Sequence, residues 1–202
     1  RNDDLPCGKS GEQYLPALVE IMLGNPDVKL VLRRKGRNVL VKLGPTSSDI
    51  AGLDENYYLD EPGVPYRPRC TYARESQRLT RGRRPVVYAH LARQPGLPGL
   101  ALQYWFYYWF NRFNDLHESD WEGIQLAFEA STVEEALARG PTRVAYAQHG
   151  GGELADWDDD KLERRGTHPV VYVSSGSHAS QYERELYLGR GRQGSGLGCD
   201  DT

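Results

Sequence analysis

The densest run of side chains able to do chemistry is Asn114-Asp-Leu-His-Glu-Ser-Asp-Trp-Glu122. On an extended backbone Asp120 and Glu122 point to one face, with their Cα atoms ~7 Å apart. His117 is placed just before the strand, where a turn can fold it over the same point. One imidazole and two converging carboxylates suit a divalent cation. The plainer reading of the same residues is a surface ion-pair cluster at a strand entrance.

Four further histidines, His90, His149, His168 and His178, fall at strand edges. His149 precedes three glycines and Glu153, and His178 closes the turn Ser174-Ser-Gly-Ser-His. Glycine beside histidine lets the backbone approach a ligand closely, so His149, His178 and Glu153 are additional candidates for the site. A second candidate surface is the strand of Tyr104, Trp105, Tyr107 and Trp109, with Trp121 on the next strand. Aromatic residues on both faces of a strand require that both be covered, or that one bind a ligand.

Three tempting motifs fail. Gly189-x-Gly191-x-x-Gly194 has dinucleotide spacing but is followed by no helix. Asp156-x-Asp158-x-Asp160 has Lys161 where a calcium loop needs glycine, and is read as a helix N-terminus instead. Ser177-His178 lacks the nucleophile elbow of a serine hydrolase.

These residues need elements to hold them. Apolar spacing predicts a short helix over Tyr14–Leu23 ended by Gly24. Val28–Leu32 and Val39–Leu43 read as a hairpin around Lys35-Gly36. Prolines 45, 62, 65 and 68 make the stretch from Gly44 to Cys70 loop-like. Strands are expected over Pro85–Ala92, Ala101–Phe110, Trp121–Phe128, Arg143–His149 and Pro169–Ser174. Ile124, Leu126 and Phe128 should share a face with Glu122. Thr132-Val-Glu-Glu135 is a capping box for a helix stopping at Gly140. The sum is a mainly β, single-domain, sandwich-like fold with short peripheral helices. Residues 1–95 form an N-terminal portion packed on the motif-bearing portion 96–202.

The chain has 202 residues, 39% hydrophobic and 26% charged, which fits a globular domain rather than disorder. Residues 1–100 carry 16 Lys/Arg against 11 Asp/Glu, and residues 101–202 carry 9 against 17. The basic residues are scattered and not interleaved with aromatics, so no nucleic-acid surface is expected. The longest apolar run, near Leu100–Phe110, is too short to span a bilayer as a helix. The three cysteines, Cys7, Cys70 and Cys199, form no CxxC. A Cys7–Cys70 bridge and three unpaired thiols both remain open. The chain opens at Arg1 without methionine. It is read as a processed protein or an excised piece of one, and an extracytoplasmic setting is the expectation.

Four segments together resemble the Vps62-like family in its bacterial form: residues 116–125 (LHESDWEGIQ), 146–153 (YAQHGGGE), 168–179 (HPVVYVSSGSHA) and 198–202 (GCDDT). The opening Tyr-Leu-Pro-Ala-Leu-Val-Glu (14–20) is similar to that family's start. More distantly, His-x-x-Asp-Trp-Glu (117–122) is similar to the heptapeptide of necrosis-inducing NPP1-type proteins, from which it departs at Leu116 and Ser119. That resemblance implies a β-sandwich holding a divalent cation through His117, Asp120 and Glu122, and a sugar-bearing lipid as target. Two functions follow as expectations. One is a module in which calcium or magnesium bridges to a glycan or lipid headgroup beside the aromatic strand. The other is a zinc- or manganese-dependent hydrolase of phosphoester or glycosidic bonds. A structural or interaction domain without metal is the third.

Overall fold

A computed structural model of the chain describes residues 14–93, 99–113, 116–148 and 151–184, and the backbone of 186–190 and 197–201. The chain is mainly β, as its alternating patterns predict, with several antiparallel sheets and a few short helices. It divides into two compact units. The first comprises Arg1–Val86, Tyr108–Phe110 and Leu116–Ser119; the second comprises Val87–Tyr107, Asn111–Asp115 and Asp120–Thr202.

In the first unit β1 (Lys29–Arg34) and β2 (Arg37–Leu43) form the expected hairpin. Lys35 and Gly36 both have positive φ, 49° and 74°, the two-residue turn whose twist matches the strands it joins. After α1 (Ser47–Ile50), β3 (Tyr57–Asp60) pairs with β1, so the sheet order is β2-β1-β3. Then comes α2 (Thr71–Thr80), whose Tyr72 is buried and stacks on Phe110 with ring centroids 4.0 Å apart. Neither β3 nor α2 was expected in or after a proline-punctuated stretch. The helix expected over Tyr14–Leu23 is replaced by a single 3-10 turn at Val19–Ile21. Leu18 is extended, and the carbonyl of Pro16 accepts from the amide of Val86 at 3.0 Å. That bond to a distant segment needs an extended backbone, and it overrides the helical spacing.

The second unit is built on a five-stranded antiparallel sheet, β4-β5-β6-β7-β8. Its strands are β4 (Tyr88–Ala92), β5 (Leu100–Asn111), β6 (His117–Phe128), β7 (Arg143–Gln148) and β8 (Gly151–Asp156). β5 and β6 each contribute residues to both units. One face carries the core: Ile124, Leu126, Val144, Tyr146 and Ala155 are buried against Leu162 and Tyr182. Tyr182 stacks nearly parallel on Tyr146 at 4.1 Å, and its hydroxyl donates to the carbonyl of Val144 at 2.9 Å. Between β6 and β7 runs α3 (Val133–Arg139). Its cap is Thr132, whose side chain accepts from the Glu135 amide at 3.2 Å, and it ends at Gly140 with φ 77°.

The region after β8 holds only short pieces: β9 (Arg164–Arg165) with β10 (His168–Pro169), and β11 (Tyr172–Val173) with β12 (Ser180–Gln181). The backbone of β13 (Leu186–Arg190) pairs with β14 (Leu197–Asp201). No helix begins at Asp156–Asp160, contrary to expectation. Asp159 instead turns the chain, accepting from the amide of Lys161 through its side chain at 3.0 Å. Cys70 is disulfide-bonded. Cys7, the partner considered from the sequence, lies outside the described residues.

Candidate functional site

β6 begins at His117, so this histidine is in the strand and not before it. Ser119 has φ 60°, a left-handed residue that breaks the alternation of an extended chain. Its carbonyl accepts from Nδ1 of His117 at 2.7 Å. Beyond this kink regular alternation resumes. Asp120, Glu122, Ile124 and Leu126 are all buried on the core face. His117 and Ser119 belong to the first unit, Asp120 and Glu122 to the second.

Asp120 meets a residue that spacing could not assign to it. Its Oδ2 accepts from Nδ1 of His178 at 2.9 Å and from the amide of Asn111 at 3.3 Å. His178 and Asp120 are 2% and 7% exposed, and Asn111 is buried. The loop Ser174–His178 delivers the imidazole. The amide of His178 donates to the Ser174 carbonyl and that of Ser174 to the Ala179 carbonyl, both at 3.0 Å. His178 itself takes φ 58°. Two donors on a buried carboxylate compensate the loss of water around it. Among the described residues no three His, Cys, Asp or Glu side chains form a group able to hold a metal ion. Around Asp120 the structure shows a hydrogen-bonded carboxylate–imidazole–amide set. Glu153 lies on β8, exposed and paired with Lys161 at 2.6 Å. His149 lies outside the described residues.

A second buried acidic group sits in the first unit. Glu61 is fully buried; its Oε1 accepts from the Ser119 hydroxyl at 3.1 Å, and its Oε2 has no hydrogen-bond partner. Its backbone amide donates to Glu118 at 2.9 Å, and the hydroxyl of Tyr72 donates to the other oxygen of Glu118. Burial, reinforced by the charge of Glu118, pushes the Glu61 carboxyl up to about 10 against the Ser119 bond. Burial also raises Glu118, with the bonds from Tyr72 and the Glu61 amide opposing it.

The face of the five-stranded sheet turned away from the core is the third feature, and strand register orders it into rows. Tyr88 lies opposite Trp105, and His90 opposite Gln103. Gln125 lies opposite Ala145, which lies opposite Leu154. Side-chain contacts link β5 to β6. Gln103 donates to Gln125 at 2.7 Å, and the Tyr107 and Trp121 rings are 5.1 Å apart. The result is a polar row, His90–Gln103–Gln125, beside an aromatic one. His90 Nδ1 is 3.1 Å from Oε1 of Gln103, which also lies 3.4 Å from the indole nitrogen of Trp105.

Gly123 explains how Trp105 is presented. A Cβ there would stand 2.7 Å from the Tyr104 carbonyl and 3.3 Å from the Trp105 ring. The indole therefore lies on bare backbone and keeps its outward side open, 39% exposed. Trp121 is held at tilted angles by Tyr88 and Tyr107 and is 44% exposed. The other aromatic candidates are placed differently. Tyr107 and Trp109 are buried, and Tyr104 packs against the core cluster. His90, Gln103 and Gln125 were not singled out as a group from the sequence. Their only signal was same-parity placement on three strands whose register was unknown.

No protein-family model and no curated protein matches the chain, so the Vps62-like likeness stays a resemblance. Solved structures of necrosis-inducing proteins do match part of it. A mutant of NLPPya is 18% identical over 48% of this chain and 44% of its own, with a TM-score of 0.39. Necrosis and Ethylene inducing Protein 2 from the causal agent of cocoa's Witches Broom disease is 22% identical over 47% and 43%, with a TM-score of 0.37. NLPPya in complex with glucosamine is 16% identical over 57% and 46%, with a TM-score of 0.38. The chain spans less than half the length of these proteins. What they bind is a property of theirs, and an overlap this partial does not transfer it.

Proposed function

We propose that this chain is a glycan-recognising β domain whose binding surface is the open face of the five-stranded sheet. One observation carries the reading: Trp105 and Trp121 are both solvent-exposed on that face, beside a hydrogen-bonded row of neutral polar side chains. An indole gains stability by burial, so leaving two in water on one face costs the fold free energy that a ligand can recover. Flat apolar rings with polar groups alongside match a sugar, whose C–H face is apolar and whose rim is hydroxylated. Hydrolysis is less well supported, because Asp120 and His178 are buried where a polymer's bond would not reach them. Calorimetric titration with oligosaccharides tests the proposal. Trp105→Ala and Trp121→Ala should each weaken binding by about 2 kcal/mol, roughly thirtyfold, without unfolding the chain. A chain that binds no oligosaccharide of any class ends this reading.

A cation-dependent version, with calcium or magnesium ahead of zinc or manganese, is supported by the burial of Asp120 and Glu122 on one face of β6. Elemental analysis of the purified chain beside an Asp120→Ala/Glu122→Ala variant decides it. A stoichiometric ion lost in the variant supports the ion, and metal-free wild type removes it. An extracytoplasmic location is supported by the disulfide at Cys70.

A further inference from the structure

The described rows of the open sheet face that carry the tryptophans are poor in charge as well as aromatic. In a chain with 26% charged residues, the described positions on the polar and aromatic rows hold no Lys, Arg, Asp or Glu. Toward β7 and β8 these rows continue into Ala145, Ala147, Gly152 and Leu154. The first charges on this face, Arg143 and Asp156, come one row further on, directly opposite each other in register.

The hydrogen bonds within the polar row decide what it can offer a ligand. Gln103 is the internal brace: its Oε1 faces the His90 and Trp105 nitrogens, and its Nε2 donates to Gln125. Because Oε1 can only accept, Nδ1 of His90 carries the proton. Nε2 of His90 is the ring nitrogen that this bond leaves over for a ligand. At the other end Gln125 has given its oxygen to Gln103 and presents its amide N–H groups. The row therefore ends in an imidazole nitrogen at one side and an amide donor at the other. A hydroxyl satisfies either, since it both donates and accepts. A carboxylate or phosphate would meet no Lys or Arg on the described rows, and an ammonium would set donor against donor at Gln125. Neither charge would find a counter-charge on the described rows, so its desolvation would go uncompensated.

We infer that this face selects an uncharged oligosaccharide, with Trp105 and Trp121 as stacking platforms and His90 and Gln125 as the groups that read its hydroxyls. The inference rests on the glycan-binding proposal above and narrows it, setting aside anionic lipid headgroups and charged sugars.

The experiment is a titration of the full chain with neutral glucan oligosaccharides, uronic-acid oligosaccharides, fully deacetylated glucosamine oligosaccharides, and vesicles of anionic phospholipid. Wild type, Trp105→Ala, Trp121→Ala and Gln125→Lys are compared, with a thermal melt of each to establish folding. The expected result is binding of the neutral oligosaccharide at least tenfold tighter than either charged one. That binding should be lost in whichever tryptophan variant remains folded. Gln125→Lys, which places a cation on the face, should shift preference toward the uronic-acid oligosaccharide by at least tenfold. Equal or tighter binding of a charged oligosaccharide, still dependent on the tryptophans, overturns the inference and leaves the glycan proposal standing. Binding of the vesicles alone, or of no probe, overturns both.

Discussion

Asp120 and Glu61 are both buried carboxyl groups, and their surroundings give them opposite consequences for stability. Asp120 is compensated by His178 and Asn111, so removing it strands an imidazole in the interior. Asp120→Ala should destabilise the chain by about 3 kcal/mol in denaturant titration, with Asp120→Asn milder because it retains an acceptor oxygen. A loss of under half a kcal/mol would show that the pair is not formed. Glu61 has one oxygen without a partner, and burial holds its carboxyl at about 10, far above its ordinary 4.5. The folded chain thus keeps this proton while the unfolded chain releases it near its ordinary value. The folded state binds more protons between pH ~4.5 and ~10, so this residue's contribution to stability falls as pH rises across that window. Glu61→Gln should melt higher than wild type at pH 8 by at least a few degrees, and the gap should shrink at pH 4.5. A gap that is equal at both values would refute the assignment. Alternation along β6 made the inward direction of Asp120 and Glu122 legible. The partner of Asp120 was not, because His178 is 58 residues away and no local pattern encodes a contact at that range.

Elements were legible where they were locally determined. The β1–β2 hairpin followed from two β-rich runs around a turn pair able to take positive φ. The helix over Val133–Arg139 followed from its cap and terminal glycine. α2 has a helically spaced buried face, with Tyr72 and Ser76 four residues apart, but that face is too polar to stand out as an apolar stripe. The turn at Val19–Ile21 was misread for the converse reason: its apolar spacing suits a helix, but backbone pairing to Val86 decides otherwise. β2 presents a further consequence of local architecture. It is an edge strand of its sheet, and every residue of it is exposed, including Val39, Leu40, Val41 and Leu43. A shift in register between Leu30 and Val31 distorts the ladder there, and Lys42 adds a charge, both of which blunt an edge. Four exposed aliphatic residues nonetheless leave a template for pairing with another chain. Leu40→Lys should reduce concentration-dependent self-association in sedimentation while shifting stability by no more than about 0.5 kcal/mol, since Leu40 is already 55% exposed. Unchanged association would place any such contact elsewhere on the molecule.

At the scale of the whole molecule, the pattern of short strand-like runs joined by turns predicted the mainly β class. It could not predict that contacts partition the chain with β5 and β6 each divided between two compact units, since that depends on register and not on sequence order. The same limit applies to the open face of the five-stranded sheet, which is an arrangement of rows across strands and has no linear signature. Covalent linkage is the remaining property of this scale. The first unit carries the disulfide-bonded Cys70 immediately before α2, on a chain with only three cysteines. A cross-link limits the conformations open to the unfolded chain, and losing a native one commonly costs 2–4 kcal/mol. Cys70→Ser should therefore lower the melting temperature by roughly 4–16 °C for a chain of this length. Dithiothreitol should bring wild type down to the same value and leave the variant unmoved. An equal effect of reductant on both proteins would mean that the bond at Cys70 is not what reduction breaks, and support for an oxidising, extracytoplasmic setting would fall with it.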